Sequence, residues 1–212
     1  LINVHSGLTA PSAGTVRYAG RSIHTLPAHR IARLGVARTF QNIRLFPAMT
    51  CLENVLAGQH LVAGRPLHTR LFWPEAARRE EDGLRRDARE ILTRVGLEGC
   101  AGVPASSLSY GERRRLEVAR ALASSPRLLL LDEPVAGMRG GETESVAALI
   151  RSLASERITV LLIEHNLDFV MGLCSRITVL NFGRTVATGT AEDISRNPQV
   201  IEAYLGAGDD DA

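Results

Sequence analysis

The chain has 212 residues, 45% of them apolar, and carries 25 basic and 23 acidic side chains for a formal net charge of +2. This length and apolar content suit one folded domain, or one domain with a smaller lobe, and they exclude a disordered chain. All the basic side chains are arginines, and the two signs are interspersed along the chain. The charge pattern therefore gives no support for a nucleic-acid partner.

The cysteines and the apolar runs exclude further classes. Cys51, Cys100 and Cys174 lie far apart and form no Cys-x-x-Cys spacing, so neither a disulfide framework nor a zinc site is indicated, and a reducing compartment is expected. No apolar run approaches the roughly 18 residues of a membrane span. A membrane role would have to act through a partner.

The first sixty residues predict a series of short helices and strands. The leading residues are typical of the last turns of an amphipathic helix closed by Gly7, so that the chain begins inside an element. Thr50 and Glu53 have the spacing of a helix capping box. The predicted elements are a helix end at 1–7, a strand at 15–18, a helix at 28–35, a strand at 36–40 that runs into a loop at Gln41, and a helix at 51–60.

The middle of the chain is dominated by charged residues and predicts a helical lobe. Between residues 61 and 104, apolar residues recur at helical spacing. The mixed-charge run at 75–89 indicates a solvated helix face rather than a binding patch. The apolar positions are Leu84, Ala88, Ile91, Leu92 and Val95.

The second half of the chain predicts a parallel sheet. Apolar runs at 128–131, 158–163 and 177–180 alternate with helix-like segments, a pattern typical of parallel strands covered on both faces. In such sheets the ligand lies beyond the carboxyl ends of the strands. The last seven residues, 206–212, predict a mobile acidic tail.

Asp132 and Glu133 directly follow the leucine run at 128–131. Successive strand side chains point to opposite faces, so the two carboxylates can take different tasks. One can hold a magnesium ion while the other acts on a water molecule as general base. The ordinary alternative is a helix N-cap and a surface acid after a buried strand.

Ser109 and Gly111 open a helix whose start could bind a phosphate. A serine hydroxyl and unpaired backbone N–H groups at a helix N-terminus form an anion site. The alternative is an ordinary capping box between Ser109 and Glu112. Gln41 and His165 also end strand-like runs, where an amide oxygen could ligate a metal and an imidazole could bind a phosphate oxygen, although each alone is commonly an ordinary loop residue.

Taken together, the order Gln41, Ser109-Gly111, Asp132-Glu133 and His165 resembles the nucleotide-binding subunit of ABC transporters. There these elements are the Q-loop, the signature motif, the Walker B motif with its glutamate, and the switch histidine. Longer stretches resemble the ATP-binding subunits of branched-chain amino-acid importers: ARTFQNIRLFPAMTCLENVL, LSYGERRRLEVARAL, LLLLDEPVAGM, LLIEHNLDFVMGLCSRITVLNFGR and NPQVIEAYLG. The resemblance extends to Gly206.

The resemblance implies a P-loop NTPase-like (RecA-like) α/β fold with a helical signature subdomain. The nucleotide-binding core would be 1–60 with 120–205, the signature subdomain 61–119, and the acidic tail 206–212. ATP and Mg²⁺ would be the ligands. The partners would be transmembrane permease subunits, a second ATP-binding subunit and, indirectly, a periplasmic binding protein, at the cytoplasmic face of the inner membrane.

The resemblance also implies a role for each matching residue. Asp132 would hold Mg²⁺ through water and Glu133 would polarise the attacking water. Gln41 would complete the metal shell and report on the permease, while His165 would contact the γ-phosphate. Ser109 and the backbone at Gly111 would grip the γ-phosphate of an ATP bound mainly to the facing subunit.

Two departures from the family pattern change these expectations. The 212 residues contain no lysine and no G-x-x-x-x-G-K-[ST] phosphate loop, which the family would place, with further strands, before residue 1. We therefore expect the chain to be N-terminally truncated and, by itself, to bind ATP weakly and be inactive. Arg139 stands where the family has Asn or Asp at the dimer seam, so that contact is in doubt.

Two alternatives remain, and a third is excluded by the length of the chain. The chain could be a non-hydrolysing subunit that lends Ser109 and Gly111 to a partner with a phosphate loop. It could be a lipopolysaccharide-export ATPase, a family that also tends to carry ERRR after the signature glycine. The TFQ and LF-P-MT segments and the arginine-rich lobe favour the amino-acid importers. An ABC ATPase of DNA repair or translation would carry long insertions that this length does not accommodate.

Overall fold

The computed structural model describes residues 1–59, 74–138 and 140–205. The end of the helix predicted at 51–60, the start of the helical lobe, Arg139 and the predicted tail at 206–212 lie outside the described residues. The chain divides into two compact units, Leu1–Ile163 and Glu164–Ala212.

Helices and strands alternate along the chain, as the sequence predicts. The helices are α1 (Ile2–His5), α2 (Ala28–Arg33), α3 (Cys51–Gly58), α4 (Pro74–Arg94), α5 (Tyr110–Leu122), α6 (Gly141–Ser155), α7 (Leu167–Leu173), α8 (Ala191–Ser195) and α9 (Pro198–Leu205). The strands are β1 (Arg17–Tyr18), β2 (Arg21–Ser22), β3 (Val36–Arg38), β4 (Leu128–Asp132), β5 (Thr159–Ile163), β6 (Ile177–Asn181) and β7 (Arg184–Gly189).

The first unit contains a parallel sheet in the order β3-β4-β5. Val36 pairs with Leu128, and Asp132 pairs with Ile163. Strand β4 is the central strand of this order. Its residues Leu129–131 are fully buried, as expected of an apolar strand that is covered on both faces. The parallel sheet predicted from the sequence is therefore confirmed for these three strands.

Apolar side chains from the helices cover this sheet. Ile2 of α1 and Ile31 of α2 are buried in one cluster with Val36 and Leu130. On α6, one face is buried over Val146, Ile150 and neighbouring positions, and this helix packs next to β5. Helices α1, α2 and α6 thus pack against the strands of this sheet.

The helical part of the first unit is built by α3, α4 and α5. Thr50 is the N-cap of helix α3. Its hydroxyl accepts a hydrogen bond from the Glu53 N–H, so the predicted capping box is confirmed. Helix α4 buries Ala88 and Leu92 against its neighbours. In the described ranges, no helix is both long enough and apolar enough to cross a bilayer.

Helices α3 and α5 approach each other at Gly58. A Cβ at Gly58 would overlap the carbonyl oxygen of Arg120 and would lie 3.0 Å from the Cβ of Ala123. Because the nearest obstacle is backbone, a larger residue could fit only if one helix moved. The missing side chain of Gly58 thus sets the spacing of α3 and α5.

The second unit contains an antiparallel hairpin, and it corrects one prediction. The run 177–180 was expected in the parallel sheet, but β6 pairs antiparallel with β7. The cause is the turn between Asn181 and Arg184, where Phe182 and Gly183 have φ of 45° and 77°. Two consecutive positive φ values suit a two-residue hairpin turn, which returns the chain beside the strand it has just left.

The close approach at Gly58 gives a stability prediction. Replacing Gly58 by Ala should lower the free energy of unfolding by about 1–3 kcal/mol, because the added methyl group forces α3 away from α5. The matched control is Gly99→Ala, since no atom lies within 4 Å of a Cβ there, and its effect should stay within about 0.5 kcal/mol. Urea denaturation measures both. Equal effects of the two changes would contradict the packing described here.

Candidate functional site

Two carboxylates emerge at the carboxyl end of β4. Asp132 is the last residue of the strand, and its backbone N–H donates to the hydroxyl oxygen of Thr39 at 3.4 Å. The side chain of Asp132 is 25% exposed, with one oxygen 3.9 Å from a guanidinium nitrogen of Arg38. Asp132 is therefore held at the sheet edge between the buried strand and solvent.

The backbone of Glu133 is held in an unusual conformation. Its φ is +47°, a left-handed region that costs a non-glycine residue about 1–3 kcal/mol, and Pro134 follows it and restricts it further. The N–H of Glu133 donates to the carbonyl oxygen of Ile163 at 2.9 Å. Strain of this kind persists only where the surroundings impose it, and it concentrates at functional sites.

Gln41 lies beside Glu133. Its Nε2 donates to Oε2 of Glu133 across 3.5 Å, at the long end of hydrogen-bond distances. The structure thus brings together two residues that are 92 positions apart and that the sequence placed separately at the ends of two strands. Gln41 belongs to the loop after β3, which pairs directly with β4.

Arg38 is a site residue that the sequence reasoning missed. Its guanidinium donates to the Asn3 side-chain oxygen at 2.9 Å and to the Ser6 hydroxyl at 2.8 Å, and it stacks on the ring of Phe40 at 4.3 Å. Burial lowers the pKa of Arg38, while the nearby Asp132 carboxylate acts in the opposite direction. The available signal was an arginine three positions before Gln41, in the middle of the strand predicted at 36–40.

Ser109 and Gly111 stand at the start of α5. The hydroxyl of Ser109 accepts from the Glu112 N–H at 3.3 Å, and the Ser109 N–H donates to the Glu112 carboxylate at 2.8 Å. Hydrogen bonds from the Ser109 N–H and from the Ser109 side chain hold the pKa of the Glu112 carboxyl below its usual range. The capping box is therefore present, and the Ser109 hydroxyl would have to turn away from the Glu112 carboxylate to donate to an anion.

Gly111 is buried against the start of another helix. A Cβ at Gly111 would lie 2.6 Å from Oε1 of Glu142, which is in the first turn of α6. The obstacle is the far end of a flexible side chain, so folding alone does not demand glycine at this position. Gly111 instead leaves the backbone at the helix start free of a side chain.

Two buried charges of α5 connect its start to the loop that carries Gln41. Arg114 and Glu117 are 2% and 1% exposed. Arg114 donates to the carbonyl oxygens of Phe40 at 2.5 Å and Gln41 at 2.7 Å, and also to that of Glu133 at 3.4 Å. The sequence reasoning assigned neither charge a role.

His165 belongs to the second unit. It is the second residue after β5, as predicted, and its side chain is 75% exposed with Nδ1 3.9 Å from Oε2 of Glu164. The backbone N–H of His165 donates to the same oxygen at 3.1 Å. Glu164, whose side chain is 1% exposed, thus orients the backbone at the point where the second unit begins.

The oxygen donors at the sheet edge suit magnesium. Mg²⁺ usually takes one or two carboxylates and completes its shell with substrate phosphates and water, and Asp132 and Gln41 offer a carboxylate and an amide oxygen. Among the residues that the structure describes, no group of three or more His, Cys, Asp or Glu could hold a metal ion. The oxygen donors of Asp132 and Gln41 thus fit a magnesium ion that is bound together with a phosphate.

The chain matches known families along its length. The sequence model described as "ABC transporter" matches residues 1–136, and the model described as "Branched-chain amino acid ATP-binding cassette transporter" matches residues 184–210. A high-affinity branched-chain amino acid transport ATP-binding protein, BraF of Pseudomonas aeruginosa, is 45% identical over 97% of this chain and 81% of its own length. A lipopolysaccharide export ATP-binding protein, LptB of Acidithiobacillus ferridurans, is 35% identical over 94% of this chain and 77% of its own length.

A solved structure agrees with these matches. The ADP conformation of an ATP-binding cassette of an ABC transporter superposes with a TM-score of 0.81 at 29% identity, covering 97% of this chain and 82% of the other. The similarity therefore extends over both units of the chain. The chain belongs to the ABC transporter family as an ATP-binding cassette, an ABC-type ATPase whose relatives include the branched-chain amino acid transport proteins.

Proposed function

We propose that the chain is the ATP-hydrolysing subunit of an importer for branched-chain amino acids. The observation that carries this proposal is the site at the end of β4, where Asp132, Glu133 and Gln41 meet. The substrate follows from the higher identity to a branched-chain amino acid relative than to a lipopolysaccharide-export relative.

In this proposal the three residues at the sheet edge divide the work. Glu133 accepts a proton from the attacking water, and Gln41, which contacts it, orients that water and offers its amide oxygen to the metal. Asp132 would hold Mg²⁺, and the ion would supply positive charge that neutralises the charge developing on the phosphates. Such catalysis consists of positioning and charge stabilisation.

Ser109 and Gly111 act on a different nucleotide, one held by a facing ATP-binding subunit. The first backbone N–H groups of α5 and the hydroxyl proton of Ser109 are the donors that a γ-phosphate needs at a helix start. His165 has a separate role, a contact to a γ-phosphate, because an imidazole can donate a hydrogen bond to a phosphate oxygen. A complete transporter would thus contain two composite sites.

The loop that carries Gln41 is also placed to receive a membrane partner. Phe46 of this loop is 47% exposed and lines an open cleft of about 330 Å³ with Arg38, Gly58, Glu117 and Arg120. The guanidinium of Arg120 lies over the Phe46 ring at 5.7 Å. We assign the permease to this cleft, which would attach the chain to the cytoplasmic face of the membrane through its partner.

A second candidate is a subunit that donates its signature motif without hydrolysing ATP itself. The observation in its favour is that the Ser109 helix start is fully formed, whereas residues 1–212 contain no phosphate loop. Under either proposal, residues 1–212 alone should bind ATP weakly, because the backbone N–H cradle and lysine of such a loop hold the phosphates.

The role of Glu133 can be tested in the protein expressed from its complete gene together with its permease. Glu133→Gln should retain ATP binding and dimerisation but lower hydrolysis by about 10²-fold or more, because an amide cannot accept the proton of water. Phosphate release under saturating ATP measures this. Glu144→Gln, on an exposed glutamate paired with Arg151, is the control. Hydrolysis by Glu133→Gln at the unmodified rate would show that another group is the base.

The role of Ser109 can be separated from helix capping with the 212-residue chain itself. The chain is mixed with a related subunit that has a phosphate loop, and ATP turnover is compared with turnover by each component alone. Ser109→Asp retains a capping oxygen but places a negative charge opposite the phosphate. The free energy of unfolding should therefore be unchanged, while the added turnover is lost. Ser109→Ala should lose that turnover and about 1 kcal/mol of stability.

Thr190 supplies the matched control for this experiment, since it caps α8 in the same way, with Asp193 as its partner. Thr190→Ala should lose about 1 kcal/mol of stability and leave the added turnover intact. Turnover that survives in Ser109→Asp would mean that Ser109 only caps its helix.

A further inference from the structure

Helix α5 carries a buried ion pair between Arg114 and Glu117. An Nη of Arg114 and Oε2 of Glu117 lie 3.0 Å apart, one turn apart on the helix, with both side chains almost fully buried. Desolvation of two charges offsets much of their attraction, so a buried pair by itself is weak support for stability. The hydrogen bonds that the two side chains make to other parts of the chain therefore matter more than their mutual attraction.

The pair binds both the carbonyl groups and the N–H groups of the loop after β3. Arg114 donates to the carbonyl oxygens of Phe40 and Gln41, while Oε1 of Glu117 accepts from the N–H groups of Phe40 at 3.2 Å and Arg44 at 3.4 Å. This loop is neither helix nor strand, so its backbone groups need such partners. The ion pair thus supplies the hydrogen-bond partners that a helix or a strand would otherwise provide for these backbone groups.

The same guanidinium reaches the backbone of the proposed general base. Arg114 donates to the carbonyl oxygen of Glu133 at 3.4 Å, next to the residue's strained φ of +47°. Gln41 and Glu133 are therefore joined twice, once through their side chains and once through Arg114. Five residues before Arg114 on the same helix is Ser109, the N-cap of α5.

We propose that the Arg114–Glu117 pair is a positioning device that fixes Gln41 and Glu133 relative to the start of α5. In this proposal the pair acts through the main-chain groups of Phe40, Gln41, Arg44 and Glu133 that it binds. Any shift of α5, whose N-terminus serves the facing subunit's nucleotide, is thereby transmitted to the glutamine and the glutamate that serve this subunit's own nucleotide. The assignment of nucleotides rests on the proposed function above, whereas the backbone contacts do not.

A neutral double variant separates positioning from folding. Arg114→Met/Glu117→Gln removes both charges at similar volume and keeps an amide oxygen for the Phe40 and Arg44 N–H groups, so folding should be preserved. It removes the donors to the carbonyl oxygens of Gln41 and Glu133. A change in the rate of hydrolysis without a loss of stability is then attributable to the positions of Gln41 and Glu133.

Two readouts are measured on the protein expressed from its complete gene. In the ATP-free protein, amide hydrogen exchange in the segment 40–44 should become about tenfold faster or more in the double variant. In steady-state assays, kcat should fall about tenfold or more while KM for ATP stays within about threefold, because an interaction needed for the reaction geometry is lost and substrate binding is not.

A conservative substitution and a neighbouring arginine serve as rescue and control. Arg114→Lys keeps the charge beside Glu117, but a single ammonium group cannot reach all three carbonyl oxygens, so kcat should fall between the values of the original protein and the double variant. The control is Arg115→Lys, since Arg115 donates to the carbonyl oxygens of Val95 and Gly96 instead. Its kcat and exchange should stay within about twofold of the original values.

The outcomes distinguish this proposal from the proposed function. Original exchange and kcat in the double variant would overturn the positioning role, and should the double variant not fold, original values in Arg114→Lys would do the same. An unmodified protein that shows no ATPase activity with its permease would instead refute the proposed function. Exchange in segment 40–44 would still decide the role of the pair, because that readout needs no nucleotide.

Discussion

The burial of the three central leucines of strand β4, Leu129–131, determines where chemistry can occur at this sheet. They lie between β3 and β5, and hydrogen bonds from both neighbours satisfy the backbone of the strand. Toward the carboxyl end, the first side chains after them that can reach water are Asp132 and Glu133. Because β3 runs parallel beside β4, the loop carrying Gln41 leaves the sheet at the same edge. The meeting of these three residues is therefore a consequence of the register of the sheet.

Helix α5 adds a second site-forming element at a different place. Its N-terminus presents Ser109 and Gly111, and its interior face presents Arg114 and Glu117 to the loop after β3. One helix therefore carries donors for a nucleotide on a facing subunit and, one to two turns later, the contacts that order this subunit's own residues. This arrangement offers a direct physical route by which two composite sites could affect each other, since a rigid helix moves as a unit.

Local patterns in the sequence were sufficient for much of this structure. The leucine run predicted β4 and the carboxylates at its end, and the Ser109–Glu112 spacing predicted a capping box that the structure shows. Such features depend on residues within one or two turns of each other. The hairpin of β6 and β7 was missed because its turn, at Phe182 and Gly183, was not recognised as a two-residue connection.

The buried charges were harder to predict. The run ERRR looks like a solvated helix face, and only the packing of α5 against β3 decides which arginine points inward. Helical spacing offered a partial signal, because Arg114 lies three residues after Gly111 and four before Val118, both buried. The partners of Arg114 in the segment 40–44 could not have been read from that spacing, since they are some seventy residues away in the chain.

The most direct test is a structure of Glu133→Gln, expressed from its complete gene, with ATP bound. If the proposed function is right, the Ser109 hydroxyl of one copy will lie at hydrogen-bond distance, about 2.5–3.0 Å, from the γ-phosphate held by the other copy. In the same structure, Arg114 will still bind the carbonyl oxygens of Gln41 and Glu133. A Ser109 side chain that faces solvent, or that contacts nucleotide on its own subunit, would contradict the composite site proposed here.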